Sequence, residues 1–166
     1  RKTSETDPLG ASTHYAYDAM DRLYSVSNAL GHVTRTYYNW RGDVTNTVYP
    51  DGTQVMVRYD QHGLMTQHID RAGGVTVRAY DSHGHLARVI DPVGATTEYI
   101  YDLMGRLRQI VTPDGLVISN AYDALGRKVR STYSSDNTHD EWRYDPDGVR
   151  TQINRLGQVS LFNYDD

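Results

Sequence analysis

The 166-residue chain has no cysteine, one phenylalanine, two tryptophans and five prolines. Without thiols it has no disulfide, no thiolate metal site and no cysteine nucleophile, and the redox compartment stays open. It has no apolar run of about 18 residues, so nothing reads as a membrane-spanning helix. The segment from Arg1 to Gly10 is polar and lacks the apolar centre of a signal peptide. Positive charge is also short: 17 Lys+Arg stand against 21 Asp+Glu, a net charge of −4. That balance gives no basic surface for nucleic acid or an anionic membrane. Leu, Ile, Val and Phe (11, 6, 15 and 1) total 33 of 166, close to the level of about 20% below which chains tend to be disordered. What the chain does have is 14 Tyr and 14 Gly at a modest 23% charged residues. Many rings and moderate charge argue for order, without a thick oily core.

The rings recur. Tyr17-Asp18, Tyr38-Asn39, Tyr59-Asp60, Tyr80-Asp81, Tyr101-Asp102, Tyr122-Asp123, Tyr144-Asp145 and Tyr164-Asp165 form a series in which the first six tyrosines lie 21 residues apart, followed by steps of 22 and 20. Each period is split by glycines. One set is Gly10, Gly31, Gly52, Gly73, Gly94, Gly115 and Gly157; the other is Gly42, Gly63, Gly84, Gly105, Gly126 and Gly148, with Asp21 in its first slot. Turn residues every 10 or 11 positions mark short strands in an all-β array. Asp91-Pro92-Val93-Gly94 and Asp7-Pro8-Leu9-Gly10 carry the type I preferences, and Tyr49-Pro50-Asp51-Gly52 and Thr112-Pro113-Asp114-Gly115 are variants. In Asp102-Leu103-Met104-Gly105 the aspartate can accept a backbone N–H two residues on, while the glycine supplies φ > 0. A type I turn followed by such a glycine closes a bulged hairpin.

The intervening segments, such as Thr97–Tyr101 and Leu107–Val111, are rich in Val, Thr, Tyr and Ile. The expected fold is a single-layer antiparallel ribbon of about 15 short strands. Alternation along the strands is weak. Val55, Val57 and Tyr59 share one face, but a repeat later that face carries Thr76, Arg78 and Tyr80, so only the tyrosine keeps its place. A sandwich needs one consistently apolar face. A tyrosine ladder is therefore expected to replace the core. Tyrosines two strands apart stand about 9.6 Å from each other, too far for direct stacking. Each ring is expected to sandwich a side chain of the strand between, such as Leu86, Leu107 or Val129.

Tyr101-Asp102-Leu103-Met104-Gly105-Arg106-Leu107 followed by Thr112-Pro113-Asp114-Gly115, the stretch Tyr122-Asp123-Ala124-Leu125-Gly126-Arg127, and Asp91 to Tyr101 resemble the YD repeat of the RHS (rearrangement-hotspot) family. The resemblance runs from about Asp7 to Asp165. It implies a β-ribbon that curves into a spiralling hollow shell. In bacterial polymorphic toxins and insecticidal toxin complexes such a shell encloses a C-terminal toxic domain; in animal teneurins a related shell serves adhesion. It also implies a secreted or delivered bacterial effector, with the rest of the shell and the enclosed toxin as partners. Family shells end in an autoproteolytic segment around an Asp-Pro-x-Gly-Leu-like motif. Nothing here matches it, so neither self-cleavage nor toxicity is carried over to any residue. Fifteen strands span about 70 Å, under half of the roughly 175 Å needed to wrap a toxin of about 130 residues. Residues 1–166, about 7.5 repeats, are accordingly expected to be an excerpt of a larger shell.

The site residues expected from the repeat are structural: the eight tyrosines above, Asp18, Asp60, Asp81, Asp102 and Asp123 as turn caps, and the turn glycines, among them Gly31, Gly52, Gly63, Gly84, Gly94, Gly105, Gly115 and Gly126. Arg22, Arg106 and Arg127 are expected to pair with carboxylates across the hairpin. His83-Gly84-His85, with His62 and His68 a repeat upstream, could suggest a metal. It offers no fixed third ligand, and His85 fills a slot that is Leu or Arg elsewhere, so a surface turn is the preferred reading. Ser135, His139 and Asp140 lack a nucleophile elbow and an oxyanion glycine, and the stretch 134–140 reads as an irregular polar loop. No catalytic, cofactor or metal residue is assigned. A binding module presenting Tyr and Arg rows to glycans or a receptor is the alternative function.

Overall fold

The computed structural model describes residues 1–145 and 148–162. It contains sixteen strands and, among the described residues, no helix. The chain divides into two compact units, Arg1–Arg78 with Asp91–Val93, and Ala79–Ile90 with Gly94–Asp166.

The first unit contains β1 (Ser4–Thr6), β2 (Ser12–Tyr17), β3 (Leu23–Ser27), β4 (Val33–Tyr38), β5 (Val44–Val48), β6 (Gln54–Tyr59), β7 (Met65–Ile69) and the start of β8 (Val75–Tyr80). The second contains β9 (Leu86–Ile90), β10 (Thr96–Tyr101), β11 (Leu107–Val111), β12 (Val117–Tyr122), β13 (Lys128–Tyr133), β14 (His139–Asp145), β15 (Gly148–Ile153) and β16 (Val159–Leu161). Within each unit every strand pairs antiparallel with its chain neighbours. The expectation of about 15 strands is one short. The three-residue strands β1 and β16 sit at the ends of the pattern, where partial repeats still pair.

A six-residue strand, a five-residue strand and two five-residue turn segments make the 21-residue period. The turns obey one rule. In each of Asp7–Gly10, Asn28–Gly31, Asp60–Gly63 and Asp102–Gly105 the glycine N–H donates to the carbonyl of the first residue, at 2.9–3.1 Å. The first residue's own N–H then donates to the carbonyl just past the glycine, as from Asp102 to Arg106 at 2.9 Å. That closure requires a left-handed residue at the fourth place. Gly94 has φ 86 and Gly115 φ 84, while Asp21 at φ 66 and Asn137 at φ 55 are the non-glycine occupants. Asn137 closes the longer turn at Ser134, where the polar loop lengthens the period to 22.

Hairpins closed after the tyrosine, such as β4–β5, carry a bulge immediately before it, between Tyr37 and Tyr38. Hairpins closed at the other turn, such as β3–β4, pair at three positions only, Ser25↔Arg35, Val26↔Thr34 and Ser27↔Val33. Beyond these the strands stop pairing, on the side where the tyrosines lie. No hydrophobic side chain among the described residues is buried; the buried residue is Ser131, at 4% exposure. Weak alternation in the sequence thus has a direct cause: no second layer selects a face.

Gly115 is a clean test of the turn rule, because a Cβ built there meets nothing within 4 Å. Gly115→Ala is expected to cost about 1–2 kcal/mol through left-handed strain alone, read as a lower Tm. Asp21→Gly is expected to raise Tm, since it relieves the same strain and gives up only an exposed ion pair to Arg1.

Candidate functional site

In six of the three-rung ladders the unpaired edge is closed by a phenol. Tyr38 on β4 donates its hydroxyl to the Leu23 carbonyl of β3 at 2.7 Å. The same bond runs from Tyr17 to Lys2 at 2.9 Å, Tyr59 to Val44 at 3.0 Å, Tyr101 to Leu86 at 3.0 Å and Tyr122 to Leu107 at 2.7 Å. Tyr144 reaches Lys128 at 2.6 Å, sixteen residues back rather than fifteen because of the inserted residue. Tyr80 ends β8 in the equivalent place. Tyr164 lies outside the described residues. A carbonyl that the backbone ladder leaves open is thereby satisfied by a side chain, as partly buried acceptors require.

Oδ1 of Asp18 accepts the N–H groups of Met20 and Arg22 at 2.9 and 3.0 Å. Asp60 holds His62 and Leu64, Asp81 holds His83 and His85, Asp102 holds Met104 and Arg106, and Asp123 holds Leu125 and Arg127, all at 2.8–3.0 Å. Gly31, Gly52, Gly63, Gly84, Gly94, Gly105, Gly115 and Gly126 all have positive φ.

The second carboxylate oxygen links turn to ring. Asp18 Oδ2 accepts Arg22 Nε at 2.7 Å, and the Arg22 guanidinium lies 4.7 Å from the centre of the Tyr38 ring. Asp102–Arg106–Tyr122 and Asp123–Arg127–Tyr144 repeat this, with ion pairs of 2.7 Å and guanidinium-to-ring distances of 4.8 and 4.5 Å. In Asp81–His85–Tyr101 an imidazole takes the arginine's place, 3.0 Å from Asp81 Oδ2 and stacked on Tyr101 at 4.7 Å. A guanidinium thus lies over the Tyr38, Tyr122 and Tyr144 rings, and Leu86 and Leu107, expected from sequence beside the rings, accept phenol hydroxyls through their carbonyls.

The electrostatics follow from these contacts. The Arg22 guanidinium holds the Asp18 carboxyl below its ordinary range, and Arg127 does so for Asp123. For Asp102 the Arg106 amide contributes most, then the guanidinium. Partial burial, with the negative charges of Asp43, Asp81 and Asp102 beside them, pushes the Tyr59, Tyr101 and Tyr122 phenols up.

Elsewhere, Asp140 is engaged by the Tyr133 hydroxyl at 2.6 Å and the Arg155 amide at 2.7 Å rather than by His139. The His83–His85 pair gains Asp81 as a third donor: one ligand atom from each lies within 4.8 Å of the others. His62 and His68 lie outside that group. Sequence reasoning also missed Arg71, which bonds Asp51 at 2.6 Å and lies 4.2 Å from the Tyr49 ring centre, tying neighbouring turns. Only Arg155 repeats it, in the same turn slot and 5.4 Å from the Tyr133 ring centre, so no signal common to every repeat marks it.

A pitch of 21 residues, a phenol per pitch and paired glycine turns define a family. The model of the teneurin YD-shell matches residues 6–158. The chain belongs to the teneurin YD-shell family. Among curated proteins, this YD-shell chain is 36% identical over 72 residues to double-stranded DNA deaminase toxin A of Burkholderia cenocepacia (strain H111), a match covering 42% of the chain and 5% of that protein. Among solved structures, the crystal structure of TcdB2-TccC3-Cdc42 contains a similar fold, with TM-score 0.69 and 16% identity, over 91% of this chain and 9% of that one. The YD-shell segment thus spans a small fraction of the proteins it matches.

Tyr122→Phe removes one phenol-to-carbonyl bond and leaves the ring; a loss of about 1 kcal/mol is expected, seen in denaturant midpoints. The raised phenols bind their protons more tightly folded than unfolded. Their stabilisation is complete below about pH 10, the unfolded value, and is lost as pH rises through the higher folded values. The lowered carboxylates behave in the opposite sense: their contribution is complete above about pH 4 and is lost as pH falls through the folded values. A stability plateau with an alkaline limb tracking tyrosinate absorbance is expected, and an alkaline limb absent from chemical denaturation between pH 8 and 11 would contradict it.

Proposed function

We propose that this chain is a stretch of shell wall, one YD-repeat array from a larger shell that encloses a toxin-type cargo domain. The observation that carries this reading is that, within each unit, antiparallel strands with no buried hydrophobic side chain among the described residues are pinned rung by rung by their own side chains. An ordinary domain buries one face against another layer. A wall needs only nearest-neighbour ties, which repetition sums, and it keeps both faces available. Apolar residues at the turn tips support the reading: Leu9 is 94% exposed, Val93 88% and Leu125 78%, in places that further shell would cover.

A deaminase toxin among the relatives fits a bacterial effector that is secreted or delivered. On this reading the chain contributes structure, and chemistry belongs to the enclosed cargo. The glycan or receptor alternative draws on the Tyr and Arg rows, but Arg22, Arg106 and Arg127 already spend their guanidiniums on Asp18, Asp102 and Asp123 and on the rings.

The test is limited proteolysis of the natural parent protein beside its cargo domain expressed alone. The cargo is expected to survive in the parent under conditions that cut it when free, and to become sensitive when Tyr101 and Tyr122 are both changed to Ala. Equal cleavage in the intact parent and in the free cargo would sink the proposal.

A further inference from the structure

One turn departs from the others in its chemistry while keeping their backbone. Asp81-Ser82-His83-Gly84-His85 carries imidazoles at its third and fifth places. The turn one repeat upstream, Asp60 to Leu64, has the first imidazole without the second, and the one downstream, Asp102 to Arg106, has neither. In all three the aspartate Oδ1 is occupied by two backbone N–H groups. This leaves Oδ2 aimed at the fifth residue. For Asp81 it lies 3.0 Å from His85 Nδ1. Two donors each about 2.0–2.1 Å from a zinc-class ion, at tetrahedral to right-angle spread, stand about 2.9–3.4 Å apart. The Asp81–His85 pair already has a chelating separation.

His83 completes the set. Its ligand atom lies within 4.8 Å of the other two. Its ring is exposed and stacks on His85 with centroids 6.0 Å apart and planes 22° from parallel. The His85 ring is held from its other side by Tyr101 at 4.7 Å. Gly105 leaves it room: a Cβ there would stand 3.1 Å from Cε1 and Nε2 of His85. A cavity of about 420 Å³ opens on Asp81, His83 and His85 and extends to Tyr101 and Asp102.

The geometry points to Asp81, His83 and His85 as a three-residue binding site for a divalent transition ion of the zinc class, with water completing its coordination. Two imidazoles and one carboxylate suit Zn²⁺ and its neighbours in the first transition row, whereas Ca²⁺ and Mg²⁺ take oxygen ligands. The two amides on Asp81 Oδ1 orient the carboxylate as outer-shell partners do in metal centres. In the absence of an ion, His85 fills the arginine's place against Asp81 and Tyr101, which is why the turn keeps its shape.

Calorimetric titration of Zn²⁺ into the 166-residue chain tests the site, with Co²⁺ absorption reporting ligand type. One ion per chain is expected. His83→Ala changes an exposed side chain, and His85→Arg installs the residue that the next two repeats carry (Arg106 and Arg127), so both should fold. Each is expected to weaken binding about tenfold or more, while His62→Ala leaves it unchanged. Undiminished binding in His85→Arg, equal losses in His62→Ala and His83→Ala, or no saturable binding by about 1 mM Zn²⁺ would each overturn the assignment.

Discussion

The hydrogen bond from a tyrosine hydroxyl to a carbonyl one strand back is what holds these strands where no hydrophobic side chain among the described residues is buried. Alternate hairpins pair at three positions and then stop, as β3 and β4 do after Ser25 and Arg35. A stretch of strand that opens this way exposes polar backbone and frays. The Tyr38 ring spans the opening and its hydroxyl meets the Leu23 carbonyl. Apolar ring area is covered and a backbone acceptor is satisfied in one contact, so a single residue does the work that a packed second layer does in a sandwich.

The ring is itself held by the turn before it. Asp102 bonds two backbone amides with one oxygen and Arg106 with the other, and Arg106 lies over Tyr122. Each of these ties is weak alone: part-exposed ion pairs contribute up to about 1 kcal/mol, and a guanidinium over a ring at such a site about 0.5–1 kcal/mol. They matter because they are coupled in order, from turn cap to cation to ring to carbonyl, and because the order recurs. Stability then accrues by neighbours along the chain, which suits a wall that must be long before it is useful.

Much of this was legible in the sequence. Positive φ at a fixed turn position tolerates few residues, so glycine appears there with little substitution, and Asp or Asn precedes it because a short oxygen-bearing side chain must reach two amides. These local demands produce the period. The partner of the tyrosine was not legible. Distance arithmetic excluded direct stacking of rings and pointed to an intervening side chain such as Leu107; the guanidinium of Arg106, assigned from sequence only to a carboxylate, also lies over the Tyr122 ring. Asp81 as a companion to His83 and His85 was hidden because its role as a cap masked its second oxygen, which the folded turn places against His85.

What the amino-acid order alone determined is the pitch of the array, the class of each turn and the absence of an apolar face, because each depends on one or two adjacent residues and on composition. Only the folded chain decided which carbonyl each phenol reaches, which cation covers it, and which side chains of a turn converge. The phenol and cation contacts join residues fifteen to seventeen positions apart, and their geometry is set by where neighbouring strands stop pairing, a property no single repeat contains.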